Sequence, residues 1–147
     1  MTAPVQLPAH SGSRARRIRR SGIVGAAVFA ALVVWLIAGP VLGQELRITE
    51  EGGSGERVLE IGLFPVIVVS LFAALAGWAL LAVLERFTRR ALPVWIVATF
   101  AVLAVSFLPL TGSGMTGGTR TSLAVMHLAV AAVLIPGLTG SGRRAKP

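Results

Sequence analysis

The stretch that decides the fold is Ile23-Val-Gly-Ala-Ala-Val-Phe-Ala-Ala-Leu-Val-Val-Trp-Leu-Ile-Ala-Gly-Pro-Val-Leu42, entered through Arg14-Ala-Arg-Arg-Ile-Arg-Arg20. Residues 23–42 carry no charge, and at 1.5 Å per residue a helix of that length reaches about 30 Å, the thickness of a hydrocarbon core. Three further apolar runs follow, at 63–84, 94–110 and 123–138. An unpaired backbone amide in lipid costs several kcal/mol, so each run is expected to be helical. The third and fourth runs are short, at about 24–26 Å by the same rise, and are expected to extend into Pro93 and into residues 119–122. Composition agrees with a bilayer protein: 54% of the 147 residues are hydrophobic, 14% are charged and mean hydropathy is +0.80. A soluble domain holds about 25% charged residues.

The spans divide the chain into a basic and unstructured amino-terminal tail (1–21), a four-helix transmembrane domain (22–138) and a basic tail (139–147). Within the domain an outer loop occupies 43–62. Its residues alternate around Glu51-Gly-Gly-Ser-Gly-Glu56, with Leu46 and Ile48 on one flank and Val58, Leu59 and Ile61 on the other. Period-two apolar residues about a Gly-rich turn predict a short β-hairpin. The fold class expected is therefore all-α, a four-transmembrane-helix bundle with a hairpin-like first outer loop.

Charge sets the orientation. Of the 14 basic residues, five lie in the amino-terminal tail (Arg14, Arg16, Arg17, Arg19, Arg20), three in the second loop (Arg86, Arg89, Arg90) and three in the carboxy-terminal tail (Arg143, Arg144, Lys146). These share one side of a four-span chain; Arg47, Arg57 and Arg120 take the other. The positive-inside rule places both termini and the second loop of this multi-pass chain in the cytoplasm. The net charge of +8 is then mostly topology. The amino-terminal arginines, set just before a span, are expected to face anionic headgroups and not nucleic acid. A twenty-residue run is too long for a signal-peptide core of roughly 7–15, so the first helix is expected to be retained.

Few side chains inside the spans can do chemistry. With no cysteine in the chain, thiolate metal sites and cysteine nucleophiles are excluded. The third loop has Gly112 and Gly117 at Walker spacing but Gly118 where lysine is required, so it cradles no phosphate. Inside the membrane stand Ser70, Thr99, Ser106 and His127, of which only His127 ionises. Counted by helical rise from the outer ends, His127, Ser106 and Ser70 fall at similar depth. Two readings follow: a polar site joining His127 to Ser70 or Ser106, or an interhelical hydrogen bond that only holds the bundle, worth about 0.6–2 kcal/mol. Small-residue pairs Ala26/Ala30, Ser70/Ala74 and Ala73/Gly77 are expected at helix contacts, and Trp95 at the inner interface. Glu85 and Arg89, at i,i+4, are expected to carry the second helix one turn past the bilayer.

Several segments in this order resemble a known family: Val34-Trp-Leu-Ile-Ala-Gly-Pro40, Leu75-Ala-Gly-Trp-Ala-Leu-Leu-Ala-Val-Leu-Glu-Arg-Phe-Thr-Arg-Arg90, Val94-Trp95 and Met126-His-Leu-Ala-Val-Ala-Ala-Val-Leu-Ile-Pro-Gly137. Together they are similar to the actinobacterial four-helix membrane family called domain of unknown function 6069, over roughly residues 19–138. The resemblance implies four spans in a plasma membrane and supplies no activity, cofactor or catalytic residue. With no intramembrane acid and no nucleophile set, an enzyme is the least favoured class. The function expected is that of a structural, accessory or interaction subunit, without cofactor, partnered by lipid and by another membrane protein or a second copy. The alternative is a small-ligand or redox-cofactor site, quinone or haem, around His127. The second histidine, His10, lies in the tail, so a haem held by two histidines would require two chains.

Overall fold

The computed structural model describes residues 11–52, 55–112 and 114–140. Helix α1 (Ser11–Leu36) runs on into one π-turn (Ile37–Val41); the strands β1 (Arg47–Gly52) and β2 (Gly55–Glu60) follow, then α2 (Leu63–Phe87), α3 (Ala91–Ser106), a 3-10 turn (Pro109–Thr111) and α4 (Gly117–Thr139). Among the described residues four segments are long and apolar enough to cross a membrane: Arg14–Val41, Leu63–Phe87, Ala91–Thr111 and Gly117–Thr139.

The expected four-helix class with one hairpin is what forms, with different edges. Helix α1 begins at Ser11, so the arginines of the expected unstructured tail are helical from there on. Arginine is a good helix former, and the basic segment keeps the same helical phase as the span it leads into. Helix α4 begins at Gly117, six residues before the apolar run, because Thr116 caps it: its hydroxyl accepts from the Thr119 amide at 3.2 Å. Helix α2 ends at Phe87 with Thr88 extended, which puts Arg89 outside it. The Glu85–Arg89 helical pair expected from spacing does not form.

Prolines mark the edges. Pro65 and Pro93 sit in first turns, where a missing N–H costs nothing. Pro40 sits inside the π-turn, closed by Leu42 N–H to Ile37 C=O at 2.9 Å. Gly43, at φ +65°, then turns the chain out of the helix in a conformation that disfavours any residue with a Cβ.

Helix α1 packs along both α4 and α2, while α3 lies against α2 with a lighter contact to α4. The buried stripe of α1 is Val24, Ala27 and Ala31, continued by Ala38 of the π-turn; that of α2 is Val66, Ser70, Ala74 and Leu81. The small-residue contact on α1 therefore uses Ala27/Ala31 and not the expected Ala26/Ala30, since Ala26 is exposed. Both pairs satisfy the same small-xxx-small spacing, and spacing alone does not choose between them. Ser70/Ala74 is buried as expected. Trp95 is a further correction. It is 1% exposed, buried among α1, α2 and α4 residues, and its indole N–H donates to the Gly77 carbonyl of α2 at 2.8 Å. A buried indole needs such a partner, and α2 provides one that the headgroup layer would otherwise supply.

Candidate functional sites at the two ends of the bundle

The polar side chains inside the spans do not converge. Ser70 Oγ donates to the Val66 carbonyl at 2.6 Å, Ser106 Oγ to the Leu103 carbonyl at 2.7 Å, and His127 Nδ1 lies 2.7 Å from the Leu123 carbonyl. Each group is satisfied one turn back along its own helix. These contacts form neither the joined site nor the interhelical hydrogen bond expected of His127, Ser106 and Ser70. In lipid the nearest acceptor is the second lone pair of a carbonyl one turn back in the same helix, and reaching it needs no neighbour. The neighbour that His127 does meet is Phe107, with ring centroids 6.1 Å apart and planes tilted by 45°. Among the described residues no three His, Asp or Glu side chains group as a metal site. His127→Leu keeps the apolar contact with Phe107 and gives up a bond inside one helix. It should shift bundle stability by less than about 1 kcal/mol in a detergent-denaturation titration.

The charges at the ends are placed with more consequence. Arg14, Arg16, Arg17 and Arg19 are exposed, as are Arg86, Arg89 and Arg90. Arg20 is not. It is 6% exposed, and its Nη2 donates to Glu85 Oε1 of α2 at 2.5 Å; its Nε is buried with no partner among the described residues. Arg20, of the five arginines expected to face lipid, is thus withdrawn from the surface, while the other four are exposed. The reason is periodic. Arg20, Val24, Ala27 and Ala31 share one face of α1, and Ala74, Leu81 and Glu85 share one face of α2. Each helix's core stripe ends on a charge, and the two charges are opposite. That continuation is the signal in the sequence by which Glu85 could have been found. Beside this pair, a Cβ built on Gly140 would lie 3.5 Å from Arg19 Nη2, which puts the Arg19 guanidinium at the carboxyl end of α4, where the helix dipole favours a cation.

At the other end the loops build a cap. Strands β1 and β2 pair antiparallel from Arg47↔Glu60 to Gly52↔Gly55. The loop before α4 adds a third segment: Ile48 bridges Met115, and the Thr49 amide donates to the Gly114 carbonyl at 2.8 Å. Thr119 of α4, fully buried, donates from Oγ1 to the Glu45 carbonyl at 3.1 Å, and the Trp35 indole of α1 donates to the Ile61 carbonyl at 2.9 Å. Arg47 stands between two carboxylates, 3.2 Å from Glu45 and 3.1 Å from Glu60. Beneath them is an open cavity of about 280 Å³.

Compared with known proteins, residues 11–144 match one family, described as Family of unknown function (DUF6069). No curated protein and no solved structure matches the chain.

Proposed function

We propose, for a chain that belongs to the family of unknown function DUF6069, a role as a structural or interaction subunit of the plasma membrane that works through contacts and not through chemistry of its own. The reading is supported above all by the concentration of exposed arginines at one end. Arg14, Arg16, Arg17 and Arg19 of α1 and Arg86, Arg89 and Arg90 of the α2–α3 turn are all exposed, and the Arg20–Glu85 pair ties the two groups to the same end of the bundle. Such a collar suits a layer of anionic headgroups, at about 1 kcal/mol per residue near the surface. By the positive-inside rule this is the cytoplasmic end, with both termini beside it. The opposite, capped end then faces outward and offers the surface for a protein partner or a second copy.

The chain contains no cysteine, so single cysteines report topology cleanly. Ser54→Cys in the hairpin turn should react with an impermeant maleimide on intact cells, and Ala145→Cys only after permeabilisation. The reverse pattern defeats the orientation. Crosslinking in native membranes should recover a discrete partner or a dimer of this chain. Recovery of the uncrosslinked monomer alone defeats the interaction role.

A further inference from the structure

The cavity at the hairpin end is walled by Trp35 and Gly39 from the end of α1, by Glu45 and Arg47 at the entry to β1, and by Glu60 and Gly62 between β2 and α2. Its glycines are informative. A side chain built on Gly39 or on Gly62 would meet nothing within 4 Å, and neither residue has a positive φ. Gly62 is the N-cap of α2, a place that favours glycine, whereas nothing in the backbone demands glycine at Gly39, where the missing side chain leaves open space. In a helical segment that choice costs about 1 kcal/mol relative to alanine.

The charges above this space alternate. Arg47 Nη1 meets Glu45 Oε2 and Nη2 meets Glu60 Oε1, giving a negative–positive–negative row. A guanidinium carries five N–H donors, so Arg47 has others to offer. Both glutamate side chains are 71% exposed, so each carboxylate has room for a further donor. A simple anion drawn to Arg47 would face two carboxylates, and a simple cation drawn to the carboxylates would face Arg47. A ligand carrying both signs meets all three. Trp35 adds an indole wall, a surface that attracts ammonium groups. The cavity also lies at headgroup level: the first two spans end at Val41 and begin at Leu63, and Val41, Leu42, Leu63 and Phe64 beside it are exposed.

We propose that this cavity binds a small zwitterion bearing a phosphate and an ammonium group, the chemistry of a phosphoethanolamine headgroup. Phosphate oxygens accept from the free Arg47 donors, and the ammonium donates to Glu45 and Glu60 within the space left by Gly39 and Gly62. Its membrane setting rests on the four apolar spans and not on which side of the membrane the hairpin faces. The topology labelling above and the test below therefore fail independently.

The test is native mass spectrometry of the full chain in detergent with equal phosphatidylethanolamine and phosphatidylcholine, two zwitterions that the arginine collar does not tell apart and of which only the first has ammonium N–H groups to donate to Glu45 and Glu60. Phosphatidylethanolamine should be retained in preference by about five-fold or more. Arg47→Gln, and the pair Glu45→Gln with Glu60→Gln, should each abolish that preference while far-UV circular dichroism is unchanged, because these side chains are half or more exposed. Gly39→Leu should do the same by filling the space. Millimolar soluble phosphoethanolamine distinguishes the sources: displacement of the lipid means the headgroup suffices, and no displacement means the acyl chains are needed. Equal retention of the two lipids by the native chain, or a preference that survives the charge variants, overturns the site.

Discussion

Replacing Glu85 with alanine should destabilise the bundle by about 3 kcal/mol, near the lower end of what breaking a buried ion pair costs. The partner left behind decides the size. Arg20 is 8% exposed at its side chain and cannot leave its place on the α1 stripe without unpacking Val24 and Ala27, so its charge stays in a low-dielectric setting with nothing opposite. Glu85 is 36% exposed, so water already reaches it, and this holds the cost below the figure for a fully dry pair. The same asymmetry makes the reciprocal change milder. Arg20→Leu should cost about 1 kcal/mol, because the stranded carboxylate can hydrate and leucine extends the apolar stripe. Combining the two should recover most of the loss of Glu85→Ala. The measurement is a denaturation series in mixed detergent micelles followed by circular dichroism, read as a double-mutant cycle. A Glu85→Ala effect under about 0.5 kcal/mol, or a double variant no better than Glu85→Ala, would show that the pair is incidental.

Gly114→Ala should detach the cap from α4 while leaving the spans intact. An alanine Cβ there would stand 2.1 Å from the Thr49 carbonyl oxygen, a backbone atom that has no room to rotate away. The segment before α4 must then move off β1, losing the Thr49–Gly114 hydrogen bond and the Ile48–Met115 bridge. Overpacking of this kind costs about 1–3 kcal/mol, and water at the exposed end recovers part of it. At about 2 kcal/mol, hydrogen-exchange protection of the Thr49 amide should fall roughly thirty-fold, with amides of the helices unchanged. Gly117→Ala is the control, since its added Cβ meets nothing within 4 Å. Equal protection in the two variants would sink the argument.

What could be read from the chain follows from what lipid and pleat enforce. The bilayer demands long uncharged runs with paired backbones, so the four spans are written plainly; the hairpin is written in the period-two spacing of Leu46 and Ile48, and of Leu59 and Ile61, on either side of its glycines. The depth of a side chain is legible too, through the helical rise. Its direction around the helix is not. Ser70, Ser106 and His127 fall at similar depth by helical rise, yet equal depth does not bring side chains together, and each turns to its own backbone. Trp95 fails for the same reason: its place near a span end suits a headgroup belt, but its face of α3 meets Gly77 of α2. Arg20 was legible in principle, four residues before Val24 and seven before Ala27. Composition hid it, because one arginine among five reads as part of a solvated run.

The contact of α1 with α4 bears on how the molecule is made. Of the four helices, α1 leaves the ribosome before α4 and finds one of its two main neighbours there, so this bundle cannot close until α4 has been made. Until then the part of the Ala27–Ala31 stripe that α4 covers is left to lipid, and a chain cut short before Gly117 leaves it uncovered for good.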